Sequence, residues 1–165
     1  MADDRELLRT FQYEVKLMKS AGTGAPDAPD KLGDGGFQEC SGLEIQIDVQ
    51  EYLEGGRNDG VVRRVGRAKY QNLVLKRGML IPGGQLRNEL WTWVQGVASG
   101  VRPVARYDGI VEVLSGAPDK EVVARWVFDR GLPARIVGPQ LNAKTGEIAI
   151  EELHIAHEGL RLVAG

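Results

Sequence analysis

Between residues 40 and 79 the chain alternates in polarity for longer than a small domain can use on its own. Leu43, Ile45, Ile47 and Val49 are apolar, and Glu44, Gln46, Asp48 and Gln50 between them are polar. A period of two is the pattern of a β-strand with one covered face. Tyr52 and Leu53 follow, then a turn-prone tip, Glu54-Gly55-Gly56-Arg57-Asn58-Asp59-Gly60. The chain returns through Val61, Val62 and Val65, and a further strand-like run, 70–76, ends at Arg77-Gly78. The pattern predicts a long β-hairpin over residues 43–65, anchored at its base in a sheet, and then a core strand. Such a hairpin exceeds what a small barrel needs for itself. It projects toward something outside its own domain.

The rest of the chain reads as short strands around one helix. Residues 1–9 are polar, a short helix or a flexible arm. Phe11, Tyr13, Val15 and Leu17 alternate with polar neighbours and predict a first strand. Residues 20–36 are rich in Gly, Pro and Asp and predict a surface loop, either a mobile connection or, the preferred reading, a contact loop between neighbouring subunits. Leu86, Leu90, Trp93, Val94 and Val97 recur at helical spacing and predict a helix over 85–98, closed by Gly100 and Pro103. Trp91 falls off that stripe, so it covers a barrel edge or a neighbour. A strand follows over 104–114, with a kink or bulge at Asp108-Gly109. Residues 122–128 alternate, Leu132-Pro133 opens a separate segment to Val137, and the last strands span 147–157 and 160–163. Many of the 22 glycines fall in pairs at turns, as short antiparallel strands require. The expected architecture is a single domain, 1–165, mainly β: a β-barrel or two crossed antiparallel sheets, with one flanking α-helix and the projecting hairpin.

Charge and cysteine content narrow the function classes. The net charge of −2 offers no general attraction to nucleic acid or anionic membrane. The one cysteine, Cys40, excludes an internal disulfide, so nothing requires an oxidising compartment. The first residues lack the basic and apolar blocks of a signal peptide. No apolar run approaches the roughly 20 residues of a membrane span. Synthesis and assembly in the cytoplasm, without a membrane anchor, are expected.

No reaction chemistry stands out, and the chain reads as a non-enzyme without cofactor or metal. His154 and His157 are three apart in a strand-like segment, which puts them on opposite faces unless a bulge intervenes. Two histidines and one cysteine are too few for a closed zinc site. Cys40 has no base near it in sequence, so a small buried apolar role outweighs a nucleophile. The glycine-rich tip lacks the Gly-Lys-Ser/Thr end and following helix of a phosphate loop. Arg63, Arg64, Arg67, Lys69, Lys76 and Arg77 make the hairpin region basic. A solvated strand face is the plain explanation. Nearby Glu51, Glu54 and Asp59 weigh against a nucleic-acid patch, and pairing with an acidic edge of a neighbouring subunit suits a self-assembling protein best.

Several runs taken in order resemble a known family: Phe37-Gln38-Glu39-Cys40-Ser41-Gly42-Leu43, then Glu51-Tyr52-Leu53-Glu54-Gly55-Gly56, then Leu75-Lys76-Arg77-Gly78. Later segments agree: Leu90 to Trp93 as its helix, Leu132-Pro133 as its late turn, and Ala149-Ile150-Glu151 with His157-Glu158-Gly159 as its C-terminal strand. Together, from Phe11 to Leu162, they resemble the tail-tube (inner tube) family of contractile phages and contractile injection systems. Residues 19–36 form a longer first connection than usual there, and Val65-Gly66 stands where Pro-Gly is common. The resemblance implies six copies closing into a ring, and rings stacked into a hollow tube. It implies a sheath, a baseplate and a tube terminator as partners, with a cargo effector or DNA in the lumen. Within that frame Glu54, Gly55, Gly56, Arg57, Asn58, Asp59, Gly60, Arg63, Arg64 and Arg67 are expected at contacts between subunits. Glu14, Lys16, Glu44, Gln46 and Asp48, the polar phase of two strands, are expected to face the lumen. Two other roles compete: a tube initiator joining the baseplate to the first ring, and an isolated ligand-binding β-domain.

Overall fold

The computed structural model describes residues 7–33, 35–56 and 58–164. Residues 1–6 of the expected arm and Arg57 of the tip lie outside that range. Among the described residues the strands are β1 (Tyr13–Lys19), β2 (Lys31–Leu32), β3 (Glu39–Ser41), β4 (Ile45–Tyr52), β5 (Val62–Tyr70), β6 (Leu73–Gly78), β7 (Tyr107–Leu114), β8 (Val122–Val137), β9 (Ile150–Ala156) and β10 (Gly159–Ala164). One α-helix, α1 (Glu89–Ala98), sits between β6 and β7. Eight strands join in the order β2-β1-β7-β8-β9-β6-β3, with β10 also paired to β8. All pairings are antiparallel.

Strand β8 divides this array into two sheets. Over 122–131 it pairs with β7 and β10, and over 132–137 with β9. It bends between the two at Arg130, whose φ is 53°. At the adjacent Gly131 a Cβ would press on Ile155 and the Tyr107 carbonyl. The chain is therefore one bent strand where the sequence pattern separates two segments. Sheet alternation then aims Val15 and Leu17, Leu73 and Leu75, Phe128, and Leu153 and Ile155 into one common core. Helix α1 adds Leu90 and Trp93 to it. The Trp93 indole N–H donates to the Ala105 carbonyl at 2.9 Å, and its ring meets Tyr107 edge-on at 4.9 Å. The register shift expected at Asp108-Gly109 is present, but the extra residue lies on β8.

Three expectations change. The helix starts at Glu89, not residue 85, because Pro82–Gly84 forms a 3-10 turn with Gly83 and Gly84 at positive φ, and Leu86 is left exposed. Loop 20–36 is held against its own subunit and is not a loose connection. Its Leu32 is buried, β2 pairs with β1, the Ser20 hydroxyl donates to Asp108 at 2.7 Å, and the Tyr107 hydroxyl donates to the Pro29 carbonyl at 2.8 Å. Third, the hairpin base is not anchored in a sheet: β4 and β5 form a separate two-stranded sheet of their own. The chain leaves the main sheet at Gly42, whose φ of 90° and contact with the Asn72 carbonyl leave no room for a Cβ.

Candidate assembly surfaces

Both strands of the hairpin are exposed along most of their length. The register puts Ile45, Ile47 and Val49 on one face with Tyr70, Ala68 and Val65. The apolar phase that predicts a buried face is about half exposed, and Val65 is 81% exposed. The opposite face carries Gln46, Asp48 and Gln50 against Lys69 and Arg64. The hairpin bends where Arg67 and Gly66 together oppose Asp48. A Cβ at Gly66 would meet the Asp48 carbonyl at 2.6 Å, so the bulge requires glycine there.

The hairpin's basic residues first meet acids and rings of their own strand pair. Arg63 Nε lies 3.9 Å from Glu51 Oε1, Lys69 Nζ lies 3.0 Å from Asp48 Oδ2, and the Arg64 guanidinium sits 4.7 Å over the Tyr52 ring. The Arg63–Glu51 and Lys69–Asp48 pairs are solvent-accessible and weak. The tip residues Glu54, Gly55, Gly56, Asn58, Asp59 and Gly60 are exposed.

A second surface is the outer face of β1, β7, β8 and β10. Glu14 and Lys16 lie there, and Lys16 Nζ meets Glu112 Oε2 at 3.0 Å. Arg125 Nε reaches the other Glu112 oxygen at 3.2 Å, and Arg161 meets Asp129 at 2.7 Å. The Lys16 hydrogen bond, opposed by burial and helped by Arg125, holds the Glu112 carboxyl below its usual range. The charges on this face are of mixed sign, with Met18, Ile110, Val127 and Val163 interspersed among them. The five polar residues expected to share the lumen thus fall on two elements: Glu14 and Lys16 on this face, and Gln46 and Asp48 on the hairpin, with Glu44 just before β4.

Behind these surfaces is a buried ionic joint. Arg77 and Glu151 are 3% and 1% exposed, with Arg77 Nε 2.5 Å from Glu151 Oε1. The other arm of the guanidinium reaches Glu89 of α1 at 2.8 Å, and the Trp91 N–H donates to Glu151 Oε2 at 2.9 Å. Burial opposes the charge on Arg77. The hydrogen bonds and charges of Glu151 and Glu89 outweigh it and raise the Arg77 pKa. Arg77 is therefore not part of a basic surface, and Trp91 clamps the helix to β9. Lys76, its neighbour, faces out toward Glu39 at 3.5 Å.

The histidines and cysteine are separate. His154 bonds Glu152 within β9 at 2.6 Å. His157, in the turn before β10, lies 5.4 Å from the rings of both Tyr70 and Phe128. Its ring nitrogens are buried without full hydrogen-bond geometry. Burial lowers its pKa, with the Gly159 and Gln71 backbone and Asp129 pulling the other way. Burial also pushes the Cys40 thiol up to about 12, and Cys40 packs against the core as a small apolar residue. Among the described residues no cluster of metal ligands occurs, and no helix is long and apolar enough to cross a membrane.

Residues 9–161 match the family model of the T4-like virus tail tube protein gp19. The chain belongs to that tail tube family. Solved structures share the fold of this tail tube family member. A protein of the anti-feeding prophage (AFP) baseplate, 6-fold symmetrised, superposes with a TM-score of 0.76 at 20% identity, over 99% of this chain and 98% of that one. A chain of the extracellular contractile injection system PVC sheath-tube complex, in its extended state, gives 0.75 at 20% identity, over 99% and 95%. A crystallised Hcp protein gives 0.52 at 11% identity, over 92% and 90%. No curated protein matches the chain.

Proposed function

We propose that this tail tube family member is the repeating subunit of the inner tube of a contractile tail or injection particle. Six copies close into a ring by a heterologous contact that sixfold rotation completes, and rings stack into a hollow conduit. The observation that carries this is the hairpin. Its strands of eight and nine residues leave Ile45, Ile47, Val49 and Val65 at least half exposed in their own subunit. A monomer gains nothing from such a stripe; a ring of copies covers it. The sixfold symmetry of the AFP baseplate supports the ring number by analogy.

In this arrangement the face bearing Glu14, Lys16, Glu112, Arg125 and Arg161 lines the channel. Its mixed charge avoids adhesion to an effector or DNA passing through. The polar hairpin face with Glu44, Gln46 and Asp48 continues that lining, while the tip 54–60 and Arg63, Arg64 and Arg67 reach the adjacent copy. A sheath surrounds the tube and a terminator ends it, as the sheath-tube complex of the PVC relative and the tube-terminating cap of the AFP relative suggest by analogy. The role is mechanical and needs no reaction. Negative-stain microscopy of purified protein at high concentration tests the proposal: rings or tubes are expected. A strictly monomeric species with a bare grid would leave the isolated binding-domain reading standing. Rings that never stack would favour an initiator.

A further inference from the structure

The hairpin stands on a narrow root. It leaves β3 through Gly42, Leu43 and Glu44 and returns to β6 through Gln71 and Asn72. Leu43 and Tyr70, at its two ends, pack against the core. Tyr70 also meets a histidine there. The His157 ring lies 5.4 Å from the rings of both Tyr70 and the fully buried Phe128, so it bridges the root of the hairpin and the core. Its two ring nitrogens are buried without full hydrogen-bond geometry. A neutral imidazole suits such a place as a flat, mostly apolar spacer. An imidazolium does not, because a desolvated charge needs hydrogen bonds and a counter-charge. The counter-charges around it are already engaged. Asp129 of β8 favours a proton on His157 but holds Arg161 of β10 at 2.7 Å. Glu158, next in the chain, holds Arg106 at 3.2 Å and Arg130 of β8 at 3.1 Å. On the hairpin side Lys69 faces Asp48 at 3.0 Å, and Gln71 and Asn72 carry no charge. Burial outweighs the pull of Asp129 and of the Gly159 and Gln71 backbone, and holds the His157 pKa below its ordinary value.

We propose that His157 latches the hairpin to the body of the subunit: the neutral ring holds Tyr70 against the core, and a proton on the ring frees the hairpin to swing on its root. Linkage fixes the direction. Release of Tyr70 uncovers one side of the ring, so the released form takes up the proton more readily than the latched one. Acid therefore favours release. As the pH drops below the ordinary histidine range, each unit raises the released fraction by up to about tenfold, until the latched form is protonated as well. Two strands with no further cover are marginal by themselves, so release also loosens the β4–β5 ladder. The latch lies within one subunit and stands whether or not copies assemble. For a subunit whose hairpin serves as its assembly arm, it sets a pH below which that arm is loose.

Amide hydrogen exchange on the dilute, monomeric protein at about pH 8 and about pH 5, corrected for the intrinsic pH dependence of exchange, reads the latch. Residues 45–52 and 62–70 should exchange faster than β1 and β7 at both values, and their protection should fall several-fold on acidification. His157→Phe keeps an apolar ring in place and should abolish that fall. A second measurement runs in the opposite sense. In His154→Gln, where His157 is the remaining histidine, the further change Tyr70→Ala takes the hairpin's cover off the ring and should raise the midpoint of its NMR titration. This measurement carries the test if His157→Phe loses the parent's circular dichroism. Hairpin protection that acid leaves unchanged, or that falls equally in His157→Phe, overturns the inference, as does a titration midpoint that Tyr70→Ala does not move. Protection that rises in acid overturns it too, since the two rings would then be holding the imidazolium. So does a hairpin as protected as β1 and β7, which would open only with the whole subunit.

Discussion

Replacing Glu151 by alanine attacks the joint between the helix and the sheets at its most buried point. The substitution strips Arg77 Nε of its 2.5 Å partner and the Trp91 N–H of its 2.9 Å partner, while Glu89 stays 2.8 Å from the guanidinium. What remains is a cation 3% exposed that has lost its shortest carboxylate contact. Removing one member of a buried ion pair costs about 3–5 kcal/mol, because the survivor stays desolvated without compensation. For a domain of this size each kcal/mol moves the melting temperature by about 2–4 °C. Glu151→Ala should therefore melt roughly 6–20 °C below the parent. Urea titration at a concentration where both proteins are monomeric separates this from loss of assembly. The companion variant Arg77→Met with Glu151→Leu removes both charges and should recover part of the loss, since apolar replacement of a buried pair is often near neutral, while Glu89 and the Trp91 N–H lose these contacts. A Glu151→Ala protein within about 1 kcal/mol of the parent would refute the reasoning, and would mean that solvent reaches Arg77.

Three further outcomes follow from other sites. Trp93→Ala empties a buried position and breaks the bond to Ala105; it should cost about 3–5 kcal/mol in chemical denaturation, and an unchanged transition would place the ring outside the core. His157 titrates near 6.5 when unfolded and lower when folded, so the unfolded chain binds the proton first and stability should fall as pH drops from about 7 toward 5. His157→Phe should flatten that slope, and a parallel slope in the variant would assign the effect to other groups. Removing residues 55–60, or reversing Arg63 and Arg64 to Glu, should leave a folded subunit that cannot stack, seen by circular dichroism and microscopy on one sample. Tube length of the parent should also shorten as salt rises, and normal tubes from the shortened hairpin would exclude the tip from assembly.

The strands were legible because their alternation is strict, and the hairpin because its glycine-rich tip separates two such runs. What alternation could not convey is which chain covers the apolar side. Ile45, Ile47 and Val49 carry the pattern of a buried face and are exposed in their own subunit. Arg77 was misplaced for a different reason: beside Lys76 it looks like one of a surface pair. Its phase told otherwise, since Leu73, Leu75 and Arg77 share the buried side of β6, and Glu151, Leu153 and Ile155 the buried side of β9. A charged residue in the apolar phase of a central strand was the available signal. Leu86 fits the helical spacing but follows the Pro82–Gly84 turn too closely to lie in the helix. The continuity of β8 was hidden by Leu132-Pro133, because a proline reads as a new beginning and the bend at Arg130 has no marker in an alternation pattern.

Because β8 is hydrogen-bonded into both sheets, those two sheets have no plane between them along which they can slip. Shear between the two halves would have to stretch covalent backbone at Arg130 and Gly131 or strip a ladder lengthwise, with its bonds loaded together rather than in succession. Thrust applied at one end of such a block passes through it with little loss to deformation. In a column built from these blocks, compliance would sit at the seams between copies, so the thin two-stranded arm at each seam would set how far the column bends before it breaks.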